Sequence, residues 1–538
     1  MKKTIKQIGS YVIAGLLGCF GAQAATVIVS NDVTALETWV STNTYQLQKV
    51  VYVQSNAVLT IEPGTVIKAA TSNLISSANI PVDCAALWVC RGGKLYATGT
   101  VTSPIIFTYD GDDVNDPNDV PFNTMGKWGG IVLCGNAQIN SASDANGNVA
   151  SPKFEVFEGT TGGTNNALHM FGGNDDADSS GALRYVSIRY PGIVFAPAKE
   201  LNGLSLGGVG SGTSIEYVEV FNSADDGFEF FGGNVSTKYL VAAFCDDDDF
   251  DTDMGYRGTN QFWFGIKPTW TGSSDSRGFE TDGDLSQTGY PGGNATPVSS
   301  WMVHNATLIG RGTNVVGFGG GVAWVPRDEA RPNVFNAIVT DFAEGVRPEV
   351  DGTNEFFTGV SDLRNTIFFV KTNTTLASFS YVFADASRSN TLESALLGGV
   401  SYTNNAGLNP RPQAGSPALS NVAAQGAGLE VTTYRGAFGP SDTWADGWTT
   451  LSKLGFLATN SPALPPPAAP TISSTSGGGS VTFSIASQSG YSYALQSTLV
   501  LNPAAWTNIS TLPGNGGVLT FPSVVSTNAS EFFRILAQ

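Results

Sequence analysis

Histidine occurs only twice in the 538 residues, as His169 and His304, and cysteine five times. Two histidines exclude poly-imidazole metal centres, and the chain has no H-E-x-x-H, G-x-S-x-G elbow, P-loop or dinucleotide glycine fingerprint. Positive charge is also scarce: 27 Lys and Arg face 45 Asp and Glu, a formal net charge of −18. Such a surface repels phosphate backbones and anionic bilayers, so nucleic acid is not an expected partner. Charged residues make up only 13% of the chain, yet 41% apolar residues supply a large core, which excludes general disorder. Long amphipathic helical patterns are missing. No apolar run reaches the length of a transmembrane span.

What is abundant is glycine, 64 residues, with 26 prolines. Short Val, Ile, Leu, Phe and Tyr runs broken by Gly, Asn and Asp are the strand-and-turn signature. These runs repeat. Leu59–Ile67 aligns with Leu87–Leu95 at an offset of 28, and Tyr217–Val220 with Tyr239–Ala242 at an offset of 22. A repeat this short cannot bury its apolar face alone, so coils must stack on coils. The expected fold is all-β: a right-handed parallel β-helix over residues 25–460. A Pro/Ala-rich stretch at 461–470 reads as a stiff linker. Alternating residues in Val481–Ile485 and Tyr491–Leu495, with Trp506 and the closing Phe532–Leu536, predict a small β-sandwich-like domain over 471–538.

The N-terminus has Lys2, Lys3 and Lys6, an apolar run from Ile8 to Phe20, and Ala22-Gln23-Ala24. This is the pattern of a secretory signal peptide, residues 1–24, and it predicts a secreted or outer-surface protein. Leu16-Leu17-Gly18-Cys19 competes as a lipoprotein box that would leave a lipid on Cys19. Export permits disulfides, and a Cys84–Cys90 bridge closing a short loop is expected. Cys134, inside an apolar run, reads as a small core residue.

The most informative stretch runs from Asn222 to Asp284. Asp225-Asp226-Gly227-Phe228-Glu229 falls on Asp247-Asp248-Asp249-Phe250-Asp251 at an offset of 22, and Phe250–Asp253 on Phe279–Asp282 at 29. Three successive coils then carry Phe228/Glu229, Phe250/Asp251 and Phe279/Glu280. The phenylalanines should stack inside, and the acids should form an outward column. Carboxylates about 5 Å apart repel by about 1 kcal/mol per pair in water and more near a low-dielectric wall. Solvation, raised pKa values or a bound cation would relieve this. Ca2+ fits an all-oxygen donor set, with Asp226, Glu229, Asp248, Asp251, Asp253, Glu280 and Asp282 as candidate ligands. The plainer reading is a row of hydrated turn residues. Asp176, Asp178 and Ser180 match the first half of a second calcium loop, although position twelve is Ser187 and not Glu. Tyr256, Trp263 and Trp270 are candidate sugar-stacking residues, with burial in the core as the alternative.

Leu59–Lys68, Trp128-Gly129-Gly130-Ile131, Leu183–Val186, Asp225–Gly233 and Tyr434–Gly439 together resemble exported bacterial β-helix proteins of the pectin-lyase-like superfamily. The resemblance covers roughly residues 50–455 and implies the fold and an exported setting, but no particular reaction. The wider superfamily includes pectate lyases and polygalacturonases. A lyase would need a base beside the calcium, for which Arg257, Lys267 and Arg277 are the candidates. A hydrolase would need a carboxylate pair from Asp226, Glu229, Asp248 and Asp251. The leading expectation is a calcium-stabilised binding or structural protein contacting glycan or a cell-envelope polymer. A polysaccharide lyase or hydrolase is the alternative, and self-association into a layer or filament the third.

Overall fold

The computed structural model of the chain describes residues 25–71, 84–140, 153–157, 166–196, 199–270, 276–283, 296–312, 321–328, 330–349, 359–375, 377–441, 443–458, 472–477, 480–487, 492–500, 506–513, 517–525 and 530–537. The leader expected over 1–24, Cys19 and the 461–470 linker lie outside these residues. Among the described residues no helix is long and apolar enough to cross a membrane. The chain divides into two compact units, Met1–Thr459 and Asn460–Gln538.

The first unit is a parallel β-helix with three ladders. The first ladder climbs through Leu36–Trp39, Val58–Ile61 and Lys94–Thr98 to Asp362–Arg364. The second begins with Ala25–Val29, Asn43–Leu47, Val66–Ala69 and Ile105–Tyr109 and ends at Ile367–Phe369. The third has nine strands, from Val50–Val53 through Phe228–Phe231 and Phe250–Asp253 to Glu344–Val346. Inward Val, Ile, Leu and Phe from all three ladders form one continuous core.

The 22-residue repeat is real: Val218 pairs with Leu240 and Phe228 with Phe250. The 28-residue alignment is not. Leu59 pairs with Leu95, and Leu87 with Val51, so this coil is 36 residues long. The shorter offset had superposed strands belonging to different faces, because both carry the same apolar alternation.

Strands of the first and second ladders meet at a sharp corner that demands left-handed backbone. Tyr185, Tyr217, Tyr239 and Phe262 occupy it with φ of 48°, 55°, 59° and 60°. That conformation costs a side-chain-bearing residue about 1 kcal/mol or more. Stacking offsets it here, with successive ring centroids 4.5, 4.2 and 4.6 Å apart. Higher up, the same corner is taken by Asn305, Asn336 and Asn365, the residue type that best tolerates this region.

The segment from Asn421 to Leu457 runs back along this corner. Asn365 Nδ2 donates to the Asn421 carbonyl at 2.7 Å, and Asn336 exchanges two hydrogen bonds with Ala423. Lower down, Asn305 Nδ2 donates to the Tyr434 carbonyl at 2.8 Å, and Tyr239 donates its hydroxyl to Glu430 at 2.7 Å. The strap ends on Glu219, a fully buried carboxylate that accepts from Ser187 Oγ at 2.6 Å and from the amides of Thr450 and Leu451 at 2.6 and 2.9 Å. Glu219→Gln puts an amide N–H where an acceptor is needed. It should cost about 2 kcal/mol, the range for a lost hydrogen bond to a buried charged group. Urea titration checks this, and a midpoint equal to that of the native protein would refute the anchoring role.

The second unit contains two antiparallel sheets around Phe483, Ile485, Tyr493, Leu495, Leu519 and Phe521. Trp506, expected in that core, instead remains partly exposed beneath the Arg534 guanidinium, 4.3 Å from its ring centroid.

Candidate metal centre

Alternation along the third ladder puts every second side chain on its outer face. Register makes one row of Tyr52, Trp88, Val132, Ser205, Glu229, Asp251, Glu280 and Val325. Its lower half packs into a covering apolar cluster with Phe157, Phe171 and Phe231. Its upper half is the acid column. The inward neighbours stack as expected, Phe228 on Phe250 at 5.5 Å and 9°.

The acids do face away from the core, and they are buried, not the hydrated turn residues of the plainer reading: Glu229 and Glu280 are 7% and 8% exposed, Asp248 and Asp282 1% and 2%. Burial forces the seven predicted ligands into different environments. Asp226 Oδ1 accepts the Asp248 amide at 2.8 Å, and Asp248 Oδ1 accepts the Arg277 amide at 2.6 Å, so each turn carboxylate caps the next coil. Asp248 and Glu280 share the Arg277 guanidinium, while Glu280 and Asp282 share that of Arg327. Asp253 accepts the amide of Met254. Only Asp226, Glu229 and Asp251 converge, with ligand oxygens within 4.8 Å of one another; Asp225, Asp226 and Asp247 make a second such group.

Neither Asp226 nor Asp251 has a cationic partner within ion-pair distance among the described residues, and Asp251 Oδ1 is buried without a hydrogen bond. Burial, then the charge of Asp225, raises the Asp226 pKa well above the carboxylate range; burial, then Asp282, does the same at Asp251. Asp249 is pushed up to about 7 by burial although Lys267 Nζ lies 3.1 Å away.

Other predicted residues have structural roles. Arg257 binds Asp176 through Nη1 at 2.9 Å and Nη2 at 3.1 Å, and Gln138 donates to both oxygens of the same carboxylate. Asp178 accepts the amide and side chain of Asn136, so Asp176 and Asp178 clip this loop to the coil by hydrogen bonds, while the Ser180 hydroxyl is buried without a partner among the described residues. The base candidates Arg257, Lys267 and Arg277 are thus all ion-paired. Tyr256 and Trp263 are fully buried in the coil core and not available to a sugar. Trp270 is partly buried, edge-on to the half-exposed Phe122 at 5.0 Å. Cys84 and Cys90 form no bridge: both are buried thiols on the outer face of the third ladder, Cys84 directed at its neighbour's carbonyl at 3.4 Å. Both histidines are buried, which lowers each pKa to about 4; His169 meets the Tyr52 hydroxyl at 2.8 Å.

Sequence reasoning missed Arg327 and Asn202, which donates to Glu229. Aligning Phe279 on Trp324, an offset of 45, would have put Arg327 next to Asp282. No curated protein matches the chain. A family model described as a pectate-lyase-like β-helix domain matches residues 31–449, all of the three ladders except the first strand, Ala25–Val29, and most of the strap. With that match and this architecture, the chain belongs to the pectate-lyase-like β-helix domain family.

Proposed function

We propose that the protein is an exported, surface-acting binding protein, whose β-helix holds Ca2+ between Asp226, Glu229 and Asp251 and contacts a glycan or envelope polymer. The observation that supports this is the convergence of three carboxylates, two of which, Asp226 and Asp251, have no cation within ion-pair distance among the described residues. A hard cation with six to eight oxygen ligands suits such a donor set. The fold supports a carbohydrate-related or surface role in general. Binding is favoured over proton-transfer chemistry because Arg257, Lys267 and Arg277 are each engaged by a carboxylate.

The sign of the pH effect follows from the raised pKa values. A carboxylate with a raised folded pKa holds its proton more tightly in the native state, so its contribution to stability falls as pH rises from about 4 through the folded value. Asp249 contributes between 3.8 and about 7, and Asp226 and Asp251 act in the same direction above 3.8. Calcium competes with those protons. The rise in Tm on adding Ca2+ to EGTA-treated protein should therefore be larger at pH 8 than at pH 5; the two buried histidines, common to both samples, cancel. At 100 times Kd the increment is about 2.7 kcal/mol. Asp226→Asn with Asp251→Asn should abolish it. Equal melting with and without Ca2+ at pH 8 would remove the ion, and no calcium-dependent retention on any of a panel of acidic glycans would remove the polymer.

A further inference from the structure

We infer that Cys90 and Cys134 are a dithiol site that closes to a disulfide between two successive coils when the chain meets a disulfide oxidant. This closure needs the exported setting proposed above, since a reducing compartment keeps both as thiols. In the third ladder Leu87, Trp88 and Val89 pair with Ile131, Val132 and Leu133, so the next residue on each strand puts Cys134 beside Cys90. Cys90 is still held in the ladder, its amide donating to the Val53 carbonyl at 2.9 Å, and Cys134 is in register with Gly207 of the coil above.

Both thiols lie on one face. Val89 and Leu133 turn into the coil core, whereas Trp88, Cys90, Val132 and Cys134 belong to the apolar cluster outside it. Register neighbours on parallel strands have Cα atoms about 4.8 Å apart, inside the window of about 4.4–6.8 Å that disulfides occupy. Burial, then the charge of Cys90, raises the Cys134 thiol well above its usual range, which agrees with two sulfurs close enough to interact. The rings of Phe157 and Phe171 fill the space where a Cβ on Gly207 would stand, and they close over the pair. Cys90 and Cys134 are accordingly 3% and 0% exposed.

The other cysteines are badly placed to compete. Cys84 precedes the strand Ala86–Val89 and Cys90 follows it, so extended backbone separates them by more than about 10 Å, too far for a bridge. Cys245 packs inside the coil. Among the described residues no His, Asp or Glu joins the two thiols within reach of a shared metal ion, so a four-ligand zinc site is not formed. In the closure one thiolate attacks the S–S bond of the oxidant, and the second displaces the resulting mixed disulfide. One Sγ–Sγ bond forms, the S–S bond of the oxidant breaks, and two electrons and two protons leave on its pair of thiols. Burial pushes the Cys90 thiol up to about 12, which keeps it protonated and slow to react once folded. Closure therefore belongs to the folding chain, before Phe157 and Phe171 cover the pair.

The test uses the full chain in EGTA, so that the acid column plays no part. One portion is refolded from reduced, denatured protein in oxidised glutathione, and another is incubated folded in the same buffer. Thiols are counted in denaturant with a thiol-reactive chromophore, and linked peptides are identified by mass spectrometry. The refolded portion should show two fewer thiols per chain than the reduced protein and a Cys90–Cys134 linked peptide. It should also melt above the reduced protein, because the bridge closes a long loop in the unfolded chain. The folded portion should reach the same product more slowly. Cys90→Ser and Cys134→Ser should each abolish the bridge, and Cys84→Ser should leave it. No loss of thiols in either portion, a link through any other cysteine, or a bridged chain that melts below the reduced one would overturn the proposal. Because the peptide map is read on the unaltered chain, it decides the matter even if a serine variant were to misfold.

Discussion

Arg277→Met should destabilise the β-helix by about 3–5 kcal/mol, the cost of removing one partner from a buried ion cluster. The side chain is 2% exposed and lies between Asp248, 1% exposed, and Glu280. Arg327 still reaches Glu280 after the change, but Asp248 is left with no ion pair among the described residues. A carboxylate left alone at that depth stays ionised at great cost or takes up a proton. The deficit should therefore shrink as pH falls toward 5, because protonation removes the uncompensated charge. Denaturant titration at pH 8 and pH 5 measures both effects. A loss below 1 kcal/mol at pH 8 would show that the guanidinium is incidental to the acid column.

Trp263→Ala should cost about 3–5 kcal/mol, the range for emptying a large aromatic site in a packed core. The indole is fully buried, lies 4.4 Å from Phe250 at 9°, stacks on Trp301 at 5.8 Å, and donates Nε1 to Thr237 Oγ1 at 2.8 Å. Its loss opens a cavity under the very coils that carry Asp251 and Glu280. Glycan retention per folded molecule should remain unchanged, in contrast to a sugar platform, where binding would fall and stability hold. A chemical-denaturation midpoint close to that of the parent would contradict the core assignment.

The Phe/acid column was legible because two offsets, 22 and 29, carry a pair of residue types that few other arrangements demand. Leu59 was misaligned because aliphatic alternation looks the same on every face of a coil. Trp263 was ambiguous for a local reason: Phe262 adopts left-handed backbone at the corner, and this breaks simple alternation along Thr259–Ile266. After the corner Trp263 turns inward, while Phe264 joins a separate cluster with Phe221, Phe244 and Phe438. The neutralising arginines were illegible for the opposite reason. Arg327 lies 45 residues beyond Asp282, so only the coil register brings them together. Chain proximity favoured Arg257, which in fact reaches down to Asp176.

The returning segment Asn421–Leu457 changes how the solenoid must fold. In an open stack each turn answers only to its neighbours, so the structure can fray from either end and grow from any point. Here Glu219 is joined to Thr450, 231 positions further along, and Asn336 to Ala423, 87 further along. Such contacts are slow to form, and they link middle turns to the last-made part of the first unit. The windings therefore behave as one cooperative body that locks only when its final forty residues arrive. Glu219→Gln, by loosening the lock, should let the middle turns exchange amide protons ahead of global unfolding.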